Sequence, residues 1–127
     1  MTQVLVVDDS KVMREMMIAC LRGQDGFSFD QANSGLEAIE QLSLKTFDLL
    51  LLDLNMPDIG GIEVVEFVRS QDKLCNIPII IVTTRGDDDS RARALEVGAT
   101  RYLTKPFAPE VIQAEVASVL NAVKARK

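Results

Sequence analysis

Four consecutive leucines, Leu49 to Leu52, run straight into Asp53. An apolar run without alternation reads as a strand covered on both faces, the mark of a buried parallel sheet. Parallel neighbours need crossover connections, and the rest of the chain supplies them. Gln3 to Val7 is a short apolar run ending in Asp8-Asp9. Ser10 is placed to cap a helix with Val12, Met13, Met16, Met17, Cys20 and Leu21 at helical spacing, closed by Gly23 and Gly26. Phe27 to Ala32 alternates as a weaker strand, followed by a helix from about Leu36 to Lys45 with Leu36, Ile39 and Leu42 inward. After Asp53, the segment Asn55-Met56-Pro57-Asp58 and Gly60-Gly61 form a loop, and a helix carries Ile62, Val65 and Val68. Ile77 to Thr83 is the next doubly covered strand, and Asp87, Asp88 and Asp89 suit the N-terminus of a helix that ends near Gly98. Arg101 to Thr104 is a last short strand, and Pro109 opens a helix with Val111, Ile112, Val116, Val119, Leu120 and Val123 on one face.

Five β-α units in series predict right-handed crossovers and a three-layer α/β sandwich. At 127 residues the chain is expected to be one domain, 1–127, able to fold without disulfides or a structural metal. Cys20 and Cys75 fit no metal spacing and read as free thiols. Even the apolar run Ile77 to Val82, interrupted by Pro78, is far too short to span a bilayer, and the Met-Thr-Gln start has no basic region, so the expected location is the cytoplasm. The net charge of −5 argues against nonspecific nucleic-acid binding. There is no histidine, which excludes Ser-His-Asp and Cys-His nucleophiles, histidine metal sites and a histidine phosphocarrier. The chemistry must fall to carboxylates, hydroxyls and lysine.

Open parallel α/β sheets bind ligands outside the carboxyl ends of their strands. Here those ends carry Asp8-Asp9, Asp53, Thr83-Thr84 and Lys105-Pro106. The second strand ends in Ala32-Asn33 and is expected at the edge of the sheet. Carboxylates about 4 Å apart repel by about 4 kcal/mol at an effective dielectric of 20, so a cation must compensate. An all-oxygen donor set suits Mg²⁺ or Mn²⁺.

The segments Val6-Val7-Asp8-Asp9-Ser10, Leu51-Leu52-Asp53-Leu54-Asn55-Met56-Pro57, Ile81-Val82-Thr83 and Tyr102-Leu103-Thr104-Lys105-Pro106-Phe107 resemble the receiver domain of two-component response regulators, in order and spacing. The look is that of single-domain, chemotaxis-type receivers. The resemblance implies a flavodoxin-like sheet in order 2-1-3-4-5. It implies Asp53 as phosphoacceptor from a sensor histidine kinase, with Asp9 binding Mg²⁺ directly and Asp8 chiefly through water. Asp53 itself and the Asn55 backbone carbonyl complete the ligands. Lys105 would contact phosphoryl oxygens, across a cis Lys105-Pro106 peptide, and Thr83 would hydrogen-bond one of them. Thr83 and Tyr102 would form the switch, read by a protein partner through helix 4, strand 5 and helix 5. Lys11, Arg14 and the Met16-Met17 region of helix 1 would form a kinase-docking surface, although the two methionines themselves read as core. The protein would assist its own phosphorylation and dephosphorylation without being an enzyme otherwise.

That output face is mixed in charge, with Arg91, Arg93 and Arg101 near Glu96 and Glu110. Receivers that dimerise through it commonly carry an acidic pair before the aromatic. Thr100-Arg101 stands there instead and favours a monomer. Thr84 narrows access to the site, and Arg85 lies at its mouth. A receiver cut from a larger regulator with a DNA-binding or enzymatic output domain is the alternative, with Lys124-Ala125-Arg126-Lys127 as terminus or linker start. An Asp-nucleophile phosphatase would need a second carboxylate where Asn55 stands, and a flavin module would find its phosphate repelled by Asp8-Asp9.

Overall fold

The structure, a computed structural model, describes residues 1–23 and 26–125, with side chains through Val123. The basic end Lys124 to Lys127 lies outside those side chains. Among the described residues the order is β1 (Thr2–Val7), α1 (Lys11–Arg22), β2 (Phe27–Ala32), α2 (Gly35–Leu44), β3 (Leu49–Leu52), α3 (Gly61–Ser70), β4 (Ile79–Thr83), α4 (Asp88–Val97), β5 (Arg101–Thr104) and α5 (Pro109–Ala125). The strands form one parallel sheet in the order β2-β1-β3-β4-β5. This is the expected flavodoxin-like order, with β2 at an edge.

The leucine run works as its pattern predicts. All four leucines of β3 are buried, and successive residues serve opposite layers. Leu50 and Leu52 join Leu5, Val7, Ile79 and Ile81 against α2, α3 and α4. Leu49 and Leu51 join Val4, Val6, Ile80 and Val82 against α1 and α5. Each such side chain contributes about 1.5–3 kcal/mol on leaving water, which makes this doubly covered sheet the core of the domain.

The helices begin where short polar side chains accept their first free N–H groups. Ser10 accepts from Met13 N, Ser34 from Glu37 N and Asp87 from Ser90 N. Helix α4 ends at Gly98, whose φ of 123° favours glycine. Strand β4 starts two residues later than the apolar run, because Ile77 N turns back to Leu74 O.

Some apolar helix positions face solvent, against expectation. Val12 is 74% exposed, and Met16, Leu36 and Val111 are also exposed. In α1 the covered stripe is Met17, Ile18 and Leu21, and in α2 it is Gly35, Ala38 and Leu42, with Ile39 only partly covered. A helix lying on a sheet buries only one stripe, and Val12 and Met16 stand one turn apart on its flank. Cys20 and Cys75 are free and partly buried.

Candidate functional site

The site is built at the carboxyl edge of the sheet, where the hydrogen-bond ladder continues just past the strand ends. Asp8 N donates to Ala32 O at 3.2 Å, Asp53 N to Val7 O at 3.0 Å and Lys105 N to Thr83 O at 2.7 Å. Three side chains distant in sequence are thereby carried on one rigid frame. The parallel register does the alignment: every strand points the same way, so every strand end lands on the same edge.

Asp8, Asp9 and Asp53 each offer a carboxylate oxygen, all within 4.8 Å of one another. Asp8 is 1% exposed and Asp53 5%, whereas Asp9 is open to solvent. Asp8 accepts from Ser10 N at 2.9 Å and from Lys105 Nζ at 2.6 Å. Lys105, its side chain only 9% exposed and following strand β5 into a cis Lys105-Pro106 peptide, lies 3.7 Å from Asp53. Its closer partner is therefore Asp8. Asp53 accepts from Asn55 N at 3.3 Å. Burial pushes the Asp53 carboxyl above the usual carboxylate range; Lys105 opposes this, the Asp8 charge adds to it, and the Thr83 hydroxyl and Asn55 amide favour the ionised form.

Three carboxylates against one ammonium leave a formal local charge of −2, which a divalent cation would balance. The donor set is all oxygen and one carboxylate is solvent-facing, which fits a hard cation that keeps some of its water, such as Mg²⁺ or Mn²⁺.

Thr83 is fully buried, and its hydroxyl accepts from Arg85 N at 3.4 Å. Tyr102 lies inward, 8% exposed, and its hydroxyl donates to Arg85 O. The β4–α4 turn is thus held by both expected switch residues. Arg91 stands over the Tyr102 ring, 5.6 Å from its centroid. Arg101 pairs with Glu115 at 3.4 Å rather than with Glu96 or Glu110. Arg85 and Arg93 line a groove of about 290 Å³ beside Asn55, Met56 and Glu63.

Several residues that support the site carry no obvious signal in sequence. Arg14, expected to face a kinase, donates to Asp8 O at 2.7 Å and to Gln31 Oε1 at 2.9 Å, bracing the β1–α1 turn. Gly61 lies so close that a Cβ there would meet Asp53 O at 2.5 Å and Leu54 Cα at 2.8 Å. The Gly60-Gly61 pair was the available hint. Asp58, in the same loop, accepts from Gly35 N and Leu36 N across the fold.

Comparison with known proteins agrees with this geometry. The sequence matches the response regulator receiver domain over residues 4–117. It is 35% identical over 121 residues to the phosphate regulon transcriptional regulatory protein PhoB of Escherichia coli, covering 95% of this chain and 52% of PhoB. It is 37% identical to the CpxR homolog of Haemophilus influenzae, covering 95% of this chain and 51% of that protein. The chain thus spans about half the length of the curated relatives it matches. Among solved structures, the chemotaxis response regulator CheY4 of Vibrio cholerae aligns with a TM-score of 0.86 at 35% identity, over 94% of this chain and 98% of CheY4. The chain belongs to the response-regulator receiver domain family of two-component signalling.

Proposed function

We propose that Asp53 accepts a phosphoryl group from a sensor histidine kinase and that the resulting acyl phosphate switches the protein. The observation that carries this reading is one juxtaposition. A buried carboxylate at the end of the central strand has two more carboxylates within 4.8 Å and an ammonium at 3.7 Å. An Asp53 oxygen forms the new bond to phosphorus while the bond from phosphorus to the donor's leaving group breaks. Such transfer needs positioning and neutralised charge more than covalent help. Asp9, Asp53, Asp8 and the Asn55 carbonyl would hold Mg²⁺ or Mn²⁺, which when bound supplies that neutralisation. The exposure of Asp9 and the Asp8–Lys105 pair support direct binding by Asp9 and a water-mediated role for Asp8. Lys105 shifts its hydrogen bonds from Asp8 toward the phosphoryl oxygens, and Thr83 donates to another of them. The protein is a phosphoacceptor that assists its own phosphorylation and dephosphorylation.

Thr83 and Tyr102 both hold the β4–α4 turn through Arg85, so a pull on Thr83 loosens what Tyr102 grips. The altered face is α4, β5 and α5, read by a protein partner. We read the chain as one receiver, 1–127, working as a cytoplasmic, monomeric, chemotaxis-type regulator that does not itself contact nucleic acid or membrane. No helix among the described residues is long and apolar enough to cross a membrane.

Intact mass after incubation with acetyl phosphate tests the core of this reading. We expect a gain of one phosphoryl group with Mg²⁺, and none with chelator or in Asp53→Asn. No gain in the folded wild type with Mg²⁺ would refute it.

A further inference from the structure

We infer that Asp58 is a positioning residue for the metal: it braces the β3–α3 loop against the first turn of α2 and so sets the place of the Asn55 carbonyl. The inference rests on the phosphoacceptor reading above. The loop leaves β3 at Asp53 and rejoins regular structure at Gly61, whose N–H donates to Leu54 O at 3.1 Å. Among the described residues, Asn55 N is held only by the Asp53 side chain, at 3.3 Å. Among the described residues, no backbone–backbone hydrogen bond outside the helices and strands involves residues 55 to 59. The loop must therefore be held by side chains.

Asp58 holds it. One carboxylate oxygen accepts from Gly35 N at 3.2 Å and the other from Leu36 N at 3.0 Å. These are free N–H groups of the first turn of α2, and Ser34 takes the Glu37 N–H beside them. A carboxylate at a helix N-terminus is favoured by the helix dipole, and the N–H groups of Leu36, Ile59 and Gly35 hold Asp58 below the usual carboxylate range. Packing makes the same connection independently. A Cβ on Gly35 would meet Ile59 O at 2.5 Å and Ile59 Cβ at 2.8 Å, so the loop rests on α2 at a distance only glycine permits. Both observations fix the far side of the loop whose near side carries Asn55. Asp58 is occupied by α2 and is not itself a metal ligand, so its removal leaves every proposed ligand in place.

The test is the affinity of the full chain for Mn²⁺ alone, from the electron paramagnetic resonance signal of the free ion. Removing a partner that orients a ligand typically weakens metal binding 10- to 100-fold. For a single carbonyl ligand we expect about 10-fold from Asp58→Ala. Gly35→Ala should weaken binding similarly, because it displaces the loop while leaving Asp58 intact. Asp58→Asn keeps one of the two acceptor oxygens but turns an amide NH2 toward the other N–H, so it should recover only part of the affinity. Val116→Ala, in the layer on the other side of the sheet, should lower the melting temperature without changing affinity. Wild-type affinity in Asp58→Ala overturns the brace. Equal weakening in Val116→Ala overturns it too, since the loss would then track stability alone. A wild type that binds no Mn²⁺ refutes the metal-dependent reading and the brace with it, a result distinguishable from either.

Discussion

Replacing Asp53 by Asn should stabilise the protein at neutral pH in chelator, although it destroys the proposed acceptor. Lys105 at 3.7 Å attracts the Asp53 carboxylate by about 4.5 kcal/mol at an effective dielectric of 20. Asp8 and Asp9, each with an oxygen within 4.8 Å, repel it by at least about 3.5 kcal/mol apiece on the same scale, less for the solvent-screened Asp9. The repulsion at least offsets Lys105, and the cost of burying the charge adds to it. Burial raises the Asp53 pKa, so the fold prefers the neutral side chain. An Asn side chain is neutral at every pH, and Lys105 keeps its 2.6 Å bond to Asp8. A gain of about 1–2 kcal/mol is expected, the size of an ordinary single-substitution effect. For a domain of this size that is a rise in melting temperature of roughly 3–10 °C.

The pH dependence follows from the raised pKa. Protonation of Asp53 favours the folded state. That contribution is fully present below the unfolded-state pKa and is lost as pH rises through the folded one. The advantage of the Asn variant should therefore be largest above the raised carboxylate range and shrink on acidification, as the wild type takes up its own proton. Saturating Mg²⁺ should reverse the order. Binding at 100 times the dissociation constant adds about 2.7 kcal/mol, and a neutral amide in place of the Asp53 carboxylate is the poorer ligand. Thermal melts followed by circular dichroism, with chelator at neutral and acid pH and then with Mg²⁺, measure all three. A lower melting temperature for Asp53→Asn in chelator at neutral pH, or a gain that persists unchanged in acid, would refute the reasoning.

Lys105→Met removes the partner of a carboxylate that is 1% exposed and should cost about 3–5 kcal/mol in urea unfolding with chelator. Tyr102→Phe keeps the ring beneath Arg91 but loses the bond to Arg85 O; a loss of about 1 kcal/mol and faster amide exchange over the β4–α4 turn are expected. Gly98→Ala should destabilise by about 1–2 kcal/mol or more, because residue 98 has φ 123° and a Cβ there would meet Arg69 Cγ at 2.8 Å. Gly23→Ala, with ordinary φ and nothing among the described residues within 4 Å, should be tolerated, and melting curves of the two variants make the comparison direct.

Most of the architecture was legible in the chain because burial on both faces writes itself into sequence. Leu49 to Leu52 and Ile79 to Val82 have no polar alternation, which only a doubly covered parallel sheet tolerates. Once such strands run in parallel, their carboxyl ends must share an edge, so Asp8, Asp9, Asp53, Thr83 and Lys105 could be grouped before any coordinates. Their division of labour was suggested only by the family resemblance: residue pattern makes Asp8 and Asp9 neighbours of equal standing, and the fold buries one against Lys105 and leaves the other in solvent. The outward turn of Val12, Met16, Leu36 and Val111 was equally hidden, since helical spacing names an apolar arc but not the stripe of it that meets the sheet. Asp58 and Gly35 lie 23 residues apart, and nothing local in either segment marks the other as its partner. Local pattern determines which residues prefer to leave water. Which of them meet is decided by how helices cross strands, a property of pairs of elements that exists only after they pack.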